Sequence, residues 1–185
     1  MTNFIEVDKV TNVAGKQTVY SSGGHIVDFA VATYEEQALI YGGTGNGTMF
    51  QQLSLTITPK KSTNIIIASW MINGESHWNK VFRVFRNGSL ITTTNEQGYN
   101  NESGNVEWSG IISGWYDNNY ASTPSSFKLM YQQVANTTSQ ITLTPAIKDA
   151  GGADQWFYLN RTQASTGGDS YEQMVSTGYL FEISA

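Results

Sequence analysis

Leu53, Leu55 and Ile57 alternate strictly with Ser54, Thr56 and Thr58 until Pro59 stops the run. Successive side chains of an extended chain point to opposite faces, so this period of two marks a strand with one dry face and one wet face. The alternation returns at 26–34, where Val27, Phe29 and Val31 share one face and Asp28, Ala30 and Ala32 the other. It recurs at 127–134, with Phe127, Leu129 and Tyr131 together, and at 141–144, where Pro145 is expected to end the strand. Gly, Asn and Ser clusters separate these runs at short intervals. A chain punctuated in this way is confined to all-β architectures.

The remaining runs fill in the same plan. Residues 38–41 form a short strand, and 49–58 contains the alternating run just described. Residues 64–73 hold Ile65, Ile66, Ile67, Trp70, Met71 and Ile72, apolar on both faces. That pattern predicts a central strand covered on both sides. Residues 80–85 run into Asn87-Gly88 and then 90–92; Asn-Gly between two β-rich runs predicts a two-residue hairpin, because both residues tolerate positive φ. Residues 108–116 resume strand character, with Gly110 and Gly114 as bulge positions. Strands follow at 155–159 and 173–184, the last with Val175, Tyr179, Phe181 and Ile183 as its apolar members. The stretches 93–106 and 160–170 read as exposed loops. Roughly eight to ten strands and no helix predict an antiparallel β-sandwich of jelly-roll type.

Residues 1–24 read as a short extended arm ending in the joint Ser21-Ser22-Gly23-Gly24, and residues 25–185 as the jelly-roll body. The arm carries Phe4, Ile5, Val7, Val10 and Val13. Apolar, β-prone side chains on an arm are expected to dock, by adding a strand to another protein's sheet edge or by lying in a groove.

Composition narrows the function. Charged residues make up 14% of the chain, against about 25% in average soluble proteins, so neutral polar groups replace them on the surface. There is no cysteine, which excludes disulfides, thiolate metal sites and cysteine nucleophiles. The two histidines, His25 and His77, cannot make a histidine-rich metal centre. A net charge of −5 without a basic cluster argues against nucleic acid as a partner. No apolar run approaches the ~20 residues that cross a bilayer, and Met1-Thr2-Asn3-Phe4 lacks a secretory leader pattern, so no membrane partner is expected.

Catalytic chemistry finds little footing. The glycine-rich stretch 42–47 leads into a strand pattern, not into the helix that phosphate loops use, and reads as a plain loop. Glu35 and Glu36 are adjacent and would point to opposite faces of an extended chain, so they make no acid pair. Asp149 and Asp154 flank Ala150-Gly151-Gly152-Ala153 and read as turn residues; a calcium loop there is the less favoured reading. No catalytic residue, cofactor or metal is assigned, and the chain is expected not to be an enzyme. The aromatics Trp78, Trp115, Tyr116, Tyr120, Trp156 and Tyr158 remain as candidates for contact with a subunit or with a glycan, the subunit being favoured because interfaces enrich Tyr and Trp.

One resemblance sharpens this. The strand IVDFAVATY, the run Thr56-Ile57-Thr58-Pro59 followed by the Ile-rich strand at 64–73, the hairpin Phe82-Arg83-Val84-Phe85-Arg86-Asn87-Gly88 and the closing strand TGYLFEIS resemble a family of modules in fibre and surface proteins of tailed bacteriophages, especially marine and cyanobacterial ones. The resemblance covers about residues 26–184 and implies a trimeric jelly roll of the tumour-necrosis-factor-like type. It implies a homotrimer attached to a capsid or tail protein through the N-terminal arm. The chain lacks a repetitive shaft, which favours a capsid decoration (cement) protein or short head fibre on the virion surface. The alternative expectation is the receptor-binding tip of a tail fibre that contacts host surface glycans.

Overall fold

The structure is a computed structural model that describes residues 24–43, 45–76, 80–91, 124–149, 156–164 and 172–185, with the backbone of the short strands at 10–11, 17–19, 99–100, 106–107 and 109–112. The described strands are β1 (Val10–Thr11), β2 (Gln17–Val19), β3 (Ile26–Tyr34), β4 (Ala38–Tyr41), β5 (Thr48–Met49), β6 (Leu55–Ile57), β7 (Ile65–Ser76), β8 (Lys80–Arg86) and β9 (Ser89–Leu90). They continue as β10 (Tyr99–Asn100), β11 (Val106–Glu107), β12 (Ser109–Ile112), β13 (Ser125–Val134), β14 (Ile141–Asp149), β15 (Trp156–Leu159) and β16 (Ser176–Ile183). Every pairing is antiparallel. The fold is an all-β sandwich of two six-stranded sheets, with β1–β2 and β10–β11 as separate two-stranded ladders.

The first sheet runs β3-β16-β7, with β13 on the far edge of β7 and the limb β15-β4 on its near edge beyond β16. The second runs β12-β8-β14, closed by β5 and β6, with β9 hairpinned onto β8. The inward alternates Ile66, Ala68, Trp70 and Ile72 of β7 meet Leu129 and Tyr131 of β13, Leu180 of β16, and Phe82, Val84, Leu143 and Ile147 of the second sheet in one core. Phe50, Phe82, Phe127 and Phe157 pack ring on ring at its upper end, with centroids 4.9–6.4 Å apart. Such offset and edge-on arrangements suit the ring quadrupoles.

Local expectations meet the structure in detail. Asn87 and Gly88 take φ of 51° and 78°, the double positive-φ turn that the dipeptide favours. The β12–β8 register slips between Ser109 and Ile112, where Gly110 lies. Two expectations fail for one reason. The strand expected over 49–58 is broken by a 3-10 turn at Gln51–Leu53, and Pro145 does not end its strand but sits inside β14. Phe50 N–H donates to Pro145 O at 2.8 Å, so the proline's amide edge faces the break between β5 and β6. A strand residue aims its N–H and C=O the same way. The N–H that proline lacks would therefore have met the interrupted neighbour, and its absence breaks no ladder bond.

The strand expected to be covered on both faces is central, but from Ile65 to Met71 its outer face stays partly open among the described residues. Ile65 and Ile67 are half-buried and Met71 is 41% exposed. In β3 and β16 the larger apolar residues point outward while Ala30, Ala32, Gly178 and Leu180 point in. The small inward residues make room for Trp70, whose indole donates to Leu53 O at 2.9 Å and lies over Gly178. A Cβ on Gly178 would fall 2.6 Å from Trp70 Cδ1. Gly178→Ala is therefore expected to lower the unfolding free energy by about 1–3 kcal/mol, as overpacking does, with the urea midpoint as the readout.

Candidate functional site: an apolar sheet face

The outer face of the first sheet can be read in rows from the register. Ile26, Ile183, Ile65 and Val134 lie side by side across β3, β16, β7 and β13. The next rows are Phe29, Phe181, Ile67 and Gln132, then Val31, Tyr179, Ser69 and Met130, then Thr33, Thr177, Met71 and Lys128. Lys128 is the one charged residue in this grid. Four strands at ~4.8 Å spacing and four rows at two residues each cover about 500 Å². Eleven of the sixteen positions are apolar, about 350 Å² of that footprint, which lies within the range for the largest apolar patch on a monomer's surface, a patch that is often functional.

Exposure marks the same surface. Among the described residues, the exposed large hydrophobics are Ile26, Phe29, Val31, Leu39, Tyr41, Met71, Met130, Val134, Trp156, Val175 and Tyr179. All lie in strands of the first sheet except Val175, which leads directly into β16. Phe29 is the most open, at 64%. The second sheet's outer face is mixed: Thr56 and Thr142 are bonded to each other at 3.0 Å and Ser54 and Thr144 at 2.8 Å, while Arg83, Phe85 and Ala146 on the same face are buried.

The β15–β4 limb extends the apolar face. Trp156 stands directly opposite Tyr41, ring edge to ring face at 5.1 Å, and Leu39 lies two residues on. Of the two candidate aromatics that the structure describes, Trp156 is 41% exposed on this face, while Tyr158 is nearly buried with the Arg161 guanidinium 5.1 Å above its ring. Trp78, Trp115, Tyr116 and Tyr120 lie outside the described residues, as do Phe4, Ile5, Val7 and Val13; Val10 is described only as backbone of β1, paired with Val19.

Sequence reading missed two residues that hold the sandwich in shape, one in each sheet. Asn160, expected to open a loop, is buried at φ 58°. Its amide donates to Tyr34 O and Glu36 O and its oxygen accepts from Ser176, clamping β3, β15 and β16 together. The sequence signal is faint, since an asparagine followed by no turn partner looks like any loop residue. Asp149, expected in a turn and as a calcium candidate with Asp154, is instead the buried last residue of β14, paired with Lys80; Asp154 lies outside the described residues. Among the described residues, no group of three or more His, Cys, Asp or Glu side chains is placed to hold a metal ion. No protein-family model matches the chain, and no curated protein matches it significantly in sequence.

At the foot of the face, Lys60 Nζ lies 3.1 Å from Asp28 Oδ2, and Phe29 N–H donates to Asp28 Oδ1 at 2.9 Å. The bond from Lys60, followed by that from Phe29, holds the Asp28 carboxyl below the usual carboxylate range. A folded-state pKa that is depressed contributes stability above the unfolded value and loses it as pH falls. Lys60→Met should raise the Asp28 carboxyl toward its ordinary value in an NMR titration of side-chain carboxyl shifts; an unmoved titration would show that Lys60 does not govern it.

Proposed function

We propose that this chain is a non-enzymatic structural protein of a bacteriophage virion surface, assembled as a homotrimer through the outer face of its first sheet. One observation carries the self-association: the exposed large hydrophobics of the described residues gather in the first sheet, in register across its strands, and none lies in a strand of the second. These side chains are about half exposed, so burying the remainder of each against a second copy is worth about 1 kcal/mol. A face nearly free of charge also avoids like-charge repulsion when identical subunits meet around an axis.

The finer fold reading is a jelly roll. Numbering the eight main strands in chain order, with β3 first, β5 and β6 together second, and β16 last, the first sheet reads one-eight-three-six and the second two-seven-four-five. Successive strands, apart from four and five, thus cross between sheets in the manner of two interlocked Greek keys. This order supports the resemblance to trimeric phage surface modules, and the resemblance in turn points to a capsid decoration protein or short head fibre. The role is mechanical: symmetric burial of sheet faces makes a stable knob, and residues 1–24 tie it to a capsid or tail protein. A receptor-binding tip is the second reading, favoured by the exposed Tyr41–Trp156 pair, whose rings could stack on a host glycan.

Three variants test these assignments. Replacing Val31 and Tyr179, neighbours at the centre of the face, with Asp together is expected to leave a chain with a β-type circular dichroism spectrum that sediments as a monomer. Unchanged sedimentation of that folded variant would detach assembly from this face. Removing residues 1–24 is expected to preserve assembly and abolish co-sedimentation with undecorated capsids; retained binding would refute the anchoring role. Glycan-array binding that Trp156→Ala abolishes would favour the receptor reading instead.

A further inference from the structure

Lys80 opens β8 and Asp149 closes β14, and the two stand directly opposite each other in the register of neighbouring strands. Their side chains retain 0% and 2% exposure, and Lys80 Nζ contacts Asp149 Oδ1. Gly42 and Gly43, just after β4, pack against Asp149. Asp149 N–H donates to Gly43 O at 3.2 Å, and Arg83 Nη1 donates to Gly45 O at 3.1 Å. A Cβ on Gly42 would fall 2.6 Å from Asp149 Oδ1, so the bare Cα of glycine is what allows the backbone to close onto the carboxyl.

An ion pair held this dry is costly, because its attraction must offset the desolvation of both charges. Burial also pulls the Lys80 ammonium below the ordinary lysine range, more than Asp149 raises it, which favours the neutral, nucleophilic amine.

We propose that Lys80 and Asp149 condense into an intramolecular isopeptide bond that cross-links β8 to β14. The ammonium passes one proton to the carboxylate, leaving a neutral amine and a neutral carboxylic acid in contact. The Nζ lone pair attacks Cγ and the new C–N bond forms. The C–OH bond breaks, and the hydroxyl leaves with a proton from nitrogen as water. Nothing is oxidised or reduced, and an amide replaces two buried charges. The tie would join residues 69 apart in a chain that has no cysteine for a disulfide. Holding amine and acid in one register position lowers the entropic part of the barrier to condensation.

Intact mass spectrometry of the denatured full chain tests this, followed by proteolytic mapping. The wild type is expected to be one water lighter than its sequence mass, with a branched peptide joining the segments around Lys80 and Asp149. Lys80→Met and Asp149→Ala should show full mass, and Asp149→Asn should lose ammonia in place of water. The primary readout is on the wild type, so a variant that fails to fold does not decide the matter. Full sequence mass in folded wild-type protein would overturn the proposal. So would a water loss that maps within one peptide, the mark of a cyclic imide, or one that persists in Lys80→Met.

Discussion

The double-edged pairing of β7 is the interaction on which the rest of this molecule depends. Along one edge it pairs with β13 over ten consecutive positions, and along the other with β16 over seven and β15 over three. Among the described residues, β7 is paired on both edges from Ile65 to Met71 and again at Gly74. Its inward side chains make the middle of the core, and Trp70 reaches across to the backbone of Leu53 in the second layer. That bond satisfies the one polar atom of a fully buried indole, and so fixes the distance between the sheets.

The placement of the apolar residues follows from that distance. With Trp70 filling the gap, β3 and β16 can offer only small groups inward at its level: Ala30, Ala32 and Gly178. Their larger alternates, Phe29, Val31, Tyr179 and Phe181, are left on the outside. The same holds for Ile65, Ile67 and Met71 of β7. The sheet is therefore apolar on both faces, one filled by this chain and one presented to whatever meets it. An exposed strand face of this kind is an aggregation hazard unless a specific partner covers it, and a second and third copy of the same chain are the simplest partners that assembly can supply.

Much of this was legible in the sequence, and the failures are informative. Strict alternation identified the strands of the body, and Asn87-Gly88 identified the hairpin, because both signals are local. The interruption at Gln51–Leu53 was not legible: its counterpart is Pro145, nearly a hundred residues away, whose missing N–H faces the break. The double-faced apolar character of 64–73 was seen, but sequence alone cannot say whether the second face is covered by the same chain or by another. Which alternate of β3 points inward depends on the room left by Trp70, a long-range fact. The buried pair Lys80–Asp149 was invisible for the same reason, since a lysine at a strand start and an aspartate before Ala-Gly-Gly each look like solvated ends.

The most direct measurement of the central claim is the molar mass of the purified full-length chain by light scattering across a dilution series. A mass of three chains that persists on dilution is the expected result, with the first sheet's face buried between copies. A mass of one chain at every concentration would contradict it, leaving a monomer that carries its apolar face in water.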